Sequence, residues 1–255
     1  MSVITLTSDL GTKDYYVGVL KGAILKHCRH ANIIDITHEV PPFDVIKTAI
    51  IVQNFYTFYS EGTIHVIAVG SGNKNESRLL AAQYNGHYFL VPDNGLLSLF
   101  LNEPPQQVVE LHSSFSETRK IKISLGTAAG LLASGKKLND IGMEVQSIVE
   151  KSYFKAVNQD DFISGNVFYI DYFGNVITNI TKELFDLHGK GRNFIINLRQ
   201  DSIESIMNVN YYEMPEGEKL AMFTNKGFLK IAINKGNASR LLGLPLGTAV
   251  RIDFI

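Results

Sequence analysis

One cysteine, Cys28, is all that this 255-residue chain has. An internal disulfide and any cysteine-clustered metal site are thereby excluded, which fits a reducing compartment. An excess of charge of one sign is also missing: 24 Lys and Arg against 25 Asp and Glu leave a net charge of −1. With no basic run either, nothing holds a polyanion, so no nucleic-acid partner is expected. No run of about 18 apolar residues occurs, and Met1-Ser2-Val3-Ile4-Thr5 shows neither a basic leader nor a signal-type apolar stretch. The expectation is a soluble, cytoplasmic protein with no membrane partner. Familiar chemical fingerprints are absent too. No Gly-x-Gly-x-x-Gly follows the first strand, Gly70-Ser71-Gly72 lacks the lysine and hydroxyl of a P-loop, and Ser71, Ser77 and Ser124 lie outside any Gly-x-Ser-x-Gly. His38 has Asp35 and Glu39 nearby but no second histidine at ligand spacing, so a structural role is expected for it and no metal.

What the chain does have is enough to fold. It is 45% apolar and 19% charged, and a chain of this length buries roughly 70–75% of its unfolded surface, enough for one large or two modest domains. Val3 to Ser8 reads as a strand, Tyr15 to Cys28 as a helix, Ala31 to Thr37 as a strand, Val45 to Tyr59 as a helix and Thr63 to Val69 as a strand buried on both faces. Leu79 to Tyr84 and Tyr88 to Val91 form a hairpin about Asn85-Gly86. A short helix at Gly95 to Asn102 and another from about Thr127 to Ser134, closed by Gly135, complete this part. Strands alternating with helices predict an α/β domain over 1–150 with a mainly parallel sheet. From about 163 to 255 the pattern changes to strands at Ser164 to Ile170, Val176 to Ile180, Phe194 to Leu198, Leu220 to Thr224, Leu229 to Ile233 and Ala249 to Phe254. One short helix near Lys182 to Leu187 interrupts them, and the tail predicts a β barrel or sandwich.

Asp9 ends the first strand, where open α/β sheets place their ligand crevice, and a carboxylate there can accept two ribose hydroxyls or merely cap a helix. Asp14 is either a partner for an ammonium group or a first-turn helix residue. Pro92-Asp93-Asn94-Gly95 is a polar turn that either lines the cleft or only turns the chain. Asp171-Tyr172-Phe173-Gly174-Asn175 is a strand-turn-strand signal in which Asn175 either reads a purine edge or closes a β-turn.

Taken together, Thr7 to Gly18 (TSDLGTKDYYVG), Ile34 to Pro42 (IDITHEVPP), Tyr59 to Val66 (YSEGTIHV), Pro92 to Leu96 (PDNGL), Ile170 to Ile180 (IDYFGNVITNI) and Asn225 to Ala232 (NKGFLKIA) resemble the family of S-adenosylmethionine hydroxide adenosyltransferases and their halogenase relatives. The match spans nearly the whole chain in the family's order. The resemblance implies an α/β domain followed by a β-rich one. It also implies a homotrimer whose sites for S-adenosylmethionine or adenosine lie between the N-terminal domain of one subunit and the C-terminal domain of its neighbour. In that scheme Asp9 takes the ribose diol, Asp14 and Asp171 lie near the methionine ammonium, and Phe43 packs by the ribose. Asn175 reads adenine, Tyr211 stacks on it, and Asn225 with Lys226 holds the methionine carboxylate. Asp93 and Asn94 belong to the cleft lining. No cofactor is implied beyond the nucleoside itself.

The chain departs from the family in the water-handling triad. Gly70 and Ser77 stand where the hydrolytic members carry Asp and Arg, and Lys120 stands where they carry His. Arg78, Lys74 and Lys120 are the candidate replacements, with His112 eight residues before the lost histidine. Two readings therefore stay open: an enzyme that transfers the adenosyl group to water or another small nucleophile, and a catalytically silent sensor of the nucleoside.

Overall fold

A computed structural model describes residues 2–70, 78–115, 121–199, 201–207 and 213–255. Its contacts divide the chain into two compact units, Met1–Ser152 and Tyr153–Ile255. Among the described residues no helix is long and apolar enough to cross a membrane.

The first unit opens with β1 (Val3–Ser8), α1 (Tyr16–His27), β2 (Asn32–Thr37), α2 (Val45–Phe55) and β3 (Ile64–Ala68). β1 pairs in parallel with both β2 and β3. Every residue of β3 is buried, as a strand covered on both faces requires. The chain then adds β4 (Leu79–Tyr84), β5 (His87–Pro92), α3 (Leu96–Phe100), β6 (Gln107–Leu111), α4 (Ile121–Ala133), α5 (Leu138–Ile141) and β7 (Gly142–Glu144). The sheet order is β2-β1-β3-β5-β4-β6-β7. β3 and β5 are parallel, whereas β5 with β4, β4 with β6 and β6 with β7 are antiparallel.

The sheet is thus mixed, and the expectation of a mainly parallel one is corrected. The cause is local: Asn85 and Gly86 both have positive φ, 48° and 76°, which makes a two-residue hairpin and forces β4 against the direction of β5. β6 follows Pro104-Pro105 and is too short to stand out from its loop. α4 starts six residues before the expected Thr127. It lies against α1 through Gly126 and Gly130, where an added Cβ would come within 2.8 Å of the Leu20 carbonyl oxygen and 2.5 Å of that of Ile24. The two helices pack nearly backbone to backbone, over a core that includes Ile4, Leu6, Val66 and Leu125.

The second unit holds β8 (Val157–Gln159), β9 (Phe162–Ile170), β10 (Val176–Thr181), α6 (Lys182–Gly189), β11 (Phe194–Asn197), β12 (Ser202–Ile203), β13 (Lys219–Phe223), β14 (Phe228–Ile233), α7 (Ala238–Leu241) and β15 (Ala249–Phe254). These form one antiparallel sheet in the order β12-β11-β15-β9-β10-β14-β13, with β8 on β9. The bridge between Ile206 and Ala221 brings the chain after β12 to β13, so the sheet is a nearly closed barrel. β9 serves both halves, pairing with β15 over Phe162–Asn166 and with β10 from Val167. Gly165 sits at that change of partner because a Cβ there would lie 2.4 Å from Asn179 Oδ1, which accepts the Asn166 N–H. Ile163, Val176, Ile231, Val250 and Ile252 fill the interior.

Candidate ligand-binding site

In the first unit the loops after β1, β2 and β3 meet at Asp9. Its Oδ2 accepts the Phe43 N–H at 3.0 Å, and the carboxylate also takes the Gly70 N–H. Burial raises its pKa above the ordinary 3.8, and these backbone donors only partly offset that. The neighbouring loops are stitched together: Ser8 Oγ lies 2.7 Å from His38 Nδ1, Gly11 N–H donates to the His38 carbonyl at 2.8 Å, and Val40 N–H donates to that of Ser8 at 3.3 Å. His38 Nε2 lies 3.1 Å from Asp35 Oδ1 but out of alignment for a hydrogen bond. For Asp35 itself burial opposes ionisation, yet Lys21 and His38 outweigh it and hold the carboxyl below the usual range. Through these contacts His38 registers the Asp9 loop on the Phe43 loop. No pattern in the sequence marks that link.

Phe43 stands out, at φ +67° and 58% exposed. Asp14 is exposed just before α1. Asp93 and Asn94 are engaged within their own unit. Arg78 Nε donates to Asp93 Oδ2 at 2.6 Å and its Nη2 bonds the same oxygen, while Asp93 Oδ1 accepts the Val149 N–H at 2.9 Å. Arg78 Nη2 also reaches the Ser147 carbonyl at 2.7 Å. Asn94 donates to the Val69 carbonyl and accepts the Leu96 N–H, joining the end of β3 to the start of α3.

In the second unit the turn between β9 and β10 is organised by Asp171. Its Oδ1 accepts the N–H groups of Phe173 and Asn175, both at 2.9 Å, and its Oδ2 accepts the Asn175 side-chain amide at 2.7 Å. Three of the roughly four acceptor positions of a carboxylate are used. Gly174, at φ +83°, lies under Asn237, where any Cβ would clash at 2.2 Å. A cleft of about 600 Å³ opens here, lined by Phe173, Asn175, Ile233, Asn234, Lys235 and Asn237. Tyr172 and Phe173 are exposed beside it.

Asn225 and Lys226 form the exposed tip of the turn between β13 and β14, closed by the Gly227 N–H on the Thr224 carbonyl at 2.8 Å. Val176 pairs with Ile231 and Thr181 with Phe228, so this tip and Asn175 occupy opposite ends of the β10–β14 pair. Tyr211, Lys74, Ser77 and Lys120 lie outside the described residues, whereas His112 is described and donates its N–H to the Ile141 carbonyl. Among the described residues no group of three His, Cys, Asp or Glu side chains is placed to hold a metal ion.

Comparison with known proteins bears on this geometry. Residues 4–142 match the model of the SAM hydroxide adenosyltransferase N-terminal domain, and residues 165–251 match that of the C-terminal domain. The chain is 28% identical to the (R)-S-adenosyl-L-methionine hydrolase of Methanocaldococcus jannaschii, covering 100% of this chain and 97% of that protein. It is 24% identical to a fluorinase of Actinopolyspora mzabensis, over 98% of this chain and 96% of that one. A crystal structure of an uncharacterized conserved protein from Thermotoga maritima superimposes with a TM-score of 0.84 at 28% identity, covering 98% of this chain and 99% of that one. With both domain models matched in order along one chain, this protein belongs to the SAM hydroxide adenosyltransferase family.

Proposed function

We propose that the protein binds S-adenosylmethionine, or adenosine, through two sets of residues, one on each unit. The observation that carries this reading is Asp9: a half-buried carboxylate at the carboxyl end of β1, held by backbone donors from two other loops and suited to accept ribose hydroxyls. Phe43 packs by the ribose and Asp14 faces the amino-acid end. In the second unit Asn175 reads the adenine edge in the 600 Å³ cleft, and Asn225 with Lys226 takes the carboxylate. An extended ligand lying along the β10–β14 pair meets both ends, since adenine and the amino-acid group sit on opposite sides of the ribose. Lysine offers a point charge here rather than the bidentate fork of an arginine.

Asp9→Ala is expected to remove most affinity for both ligands, at about 1.5–3 kcal/mol per charge-assisted hydrogen bond. Because burial raises the Asp9 pKa, the ionised acceptor is lost as pH falls at milder acidity than for an ordinary aspartate. Titration calorimetry over pH 4–8 checks both effects, and an affinity flat down to pH 4 would count against Asp9. In the same experiment Asp171→Asn keeps one acceptor oxygen for the turn and removes the carboxylate charge. Methionine's ammonium and carboxylate share one carbon, and Asp171 lies in the turn of Asn175, at the opposite end of the β10–β14 pair from Asn225 and Lys226. A larger loss for S-adenosylmethionine than for adenosine would place the amino-acid group at Asp171 instead of at Lys226. Equal losses would leave Asp171 as a turn organiser alone.

Each unit carries only part of the ligand set, so we further propose a homotrimer in which neighbouring copies share the ligands. Light scattering on the purified protein should give three times the 28.4 kDa chain mass. A monomer that binds with undiminished affinity would overturn the assembly. Arg78 is assigned to positioning, because freeing it leaves the Asp93 carboxylate, 4% exposed, without its counter-ion. As to chemistry, we propose that hydrolysis of the nucleoside is slow or absent and that sensing is the alternative use of the same site. Transfer of the adenosyl group to another small nucleophile is the remaining option.

A further inference from the structure

Phe43 is costly where it stands. The Asp44 N–H closes a turn on the Pro41 carbonyl at 3.1 Å, and Phe43 holds its third position with φ +67°. Glycine is the usual residue at a positive φ there, and a bulky side chain in the left-handed region is strained. With the residue 58% exposed, folding of the chain recovers little from burying its side chain. Among the described residues the other non-glycine positive φ values have ordinary causes: Asn85 in an Asn-Gly hairpin, Lys190 at the C-cap of α6, and Lys235 in the turn after β14. Strain that persists without a local reason points to function.

What holds Phe43 in place is the Asp9 carboxylate, through the Phe43 N–H at 3.0 Å. The Ser8–His38 contact and the two backbone bonds from Gly11 and Val40 keep the loops in register beneath it. We infer that Asp9 and Phe43 work as one clamp: the carboxylate that accepts the ribose also holds the Phe43 backbone in its strained turn, so that the exposed ring is presented over the bound nucleoside. This rests on the nucleoside reading above and extends it. Asp9 becomes a positioning residue for Phe43 as well as a ligand contact. Phe43 becomes the residue that covers the sugar and excludes water from it, with stability given up in the empty protein.

The test combines ligand-free melting with adenosine calorimetry on wild type, Phe43→Gly, Phe43→Ala, Asp9→Ala and the Asp9→Ala/Phe43→Gly double variant. Phe43→Gly should raise the ligand-free Tm by about 2–4 °C and weaken adenosine by roughly 3- to 10-fold. Phe43→Ala, which keeps a Cβ in the strained position, should lose similar affinity without the gain in Tm. In the Asp9→Ala background, which has no side-chain acceptor for the Phe43 N–H, adding Phe43→Gly should cost clearly less affinity than it does in wild type, because the ring is no longer held. A glycine variant that melts no higher than the alanine one overturns the clamp, and so do losses that simply multiply. If wild type binds neither adenosine nor S-adenosylmethionine, the nucleoside reading and the presented ring fall together. If wild type binds but the two sites act independently, the nucleoside reading stands and the clamp alone fails.

Discussion

Incubated with S-adenosylmethionine, the purified protein is expected to release adenosine and methionine at least about 10²-fold more slowly than relatives that keep the full water-handling triad. Methionine departs from the sulfonium as a neutral thioether, so the displacement at C5′ needs no acid for the leaving group. It does need a nucleophile aligned with that carbon and stripped of bulk solvent. Water is a poor nucleophile near neutrality and relies on a base or a strong local field. At the three positions to which the family resemblance assigns the triad, this chain has Gly70, Ser77 and Lys120, none of them a base matched to the task. Gly70 contributes only its backbone, and its N–H is directed to Asp9. Arg78, one residue beyond the lost arginine, is closed by Asp93 and the Ser147 carbonyl. The combined substitution Gly70→Asp, Ser77→Arg and Lys120→His should raise product formation by at least about 10-fold if the triad is what is missing. Chromatographic detection of adenosine measures both rates. Brisk turnover by the unmodified chain would refute the argument and direct attention to Lys74 or His112.

Asp9 and the Asp171–Asn175 turn stand out by residue type and order, whereas Asn225 and Lys226 enter only through the family resemblance. The first two lie at strand ends, where polar residues next to β-branched runs are conspicuous. What escaped the sequence depends on tertiary context. The parallel start of the first unit is written in its alternation of strands and helices. Its antiparallel half hangs on one Asn-Gly turn and on β6, a five-residue strand beside two prolines. The sign of φ at Phe43 has no signal, since the residue is neither Gly nor Asn and its partner, Asp9, is 34 positions away. The engagement of Arg78 with Asp93 is equally invisible, because the two residues are 15 positions apart and no spacing pattern links them. Gly126 and Gly130, four apart on α4, did carry a signal: small residues at helical spacing mark a close approach, here of α1.

The first unit is expected to lose stability in acid through a buried pair of histidines. His65 is fully buried on β3, with Nδ1 2.7 Å from Thr5 Oγ1 and Nε2 3.1 Å from His87 Nδ1. Its ring stacks on Phe89 at 4.9 Å and meets Phe55, Tyr56 and Tyr59 edge-on. Burial, and then the neighbouring His87, lower its pKa to about 3. Burial also lowers that of His87, with Glu61 opposing. A histidine depressed on folding binds its proton more readily in the unfolded chain, where the pKa is about 6.5. The stability it confers is complete above about pH 6.5 and declines as pH falls toward 3. Near pH 4.5 the loss from His65 alone is about 2–3 kcal/mol, with His87 adding to it. His65→Phe leaves the Thr5 hydroxyl and His87 Nδ1 without their partner and should cost about 1–3 kcal/mol at pH 7.5. At pH 4.5 the variant has no proton to exclude at that position, so its deficit should shrink to near zero or reverse. Urea unfolding followed by circular dichroism at both pH values measures the difference, in which the carboxylates common to both proteins cancel. Parallel stability curves for the two proteins would show that His65 is protonated, or hydrated, in the folded state.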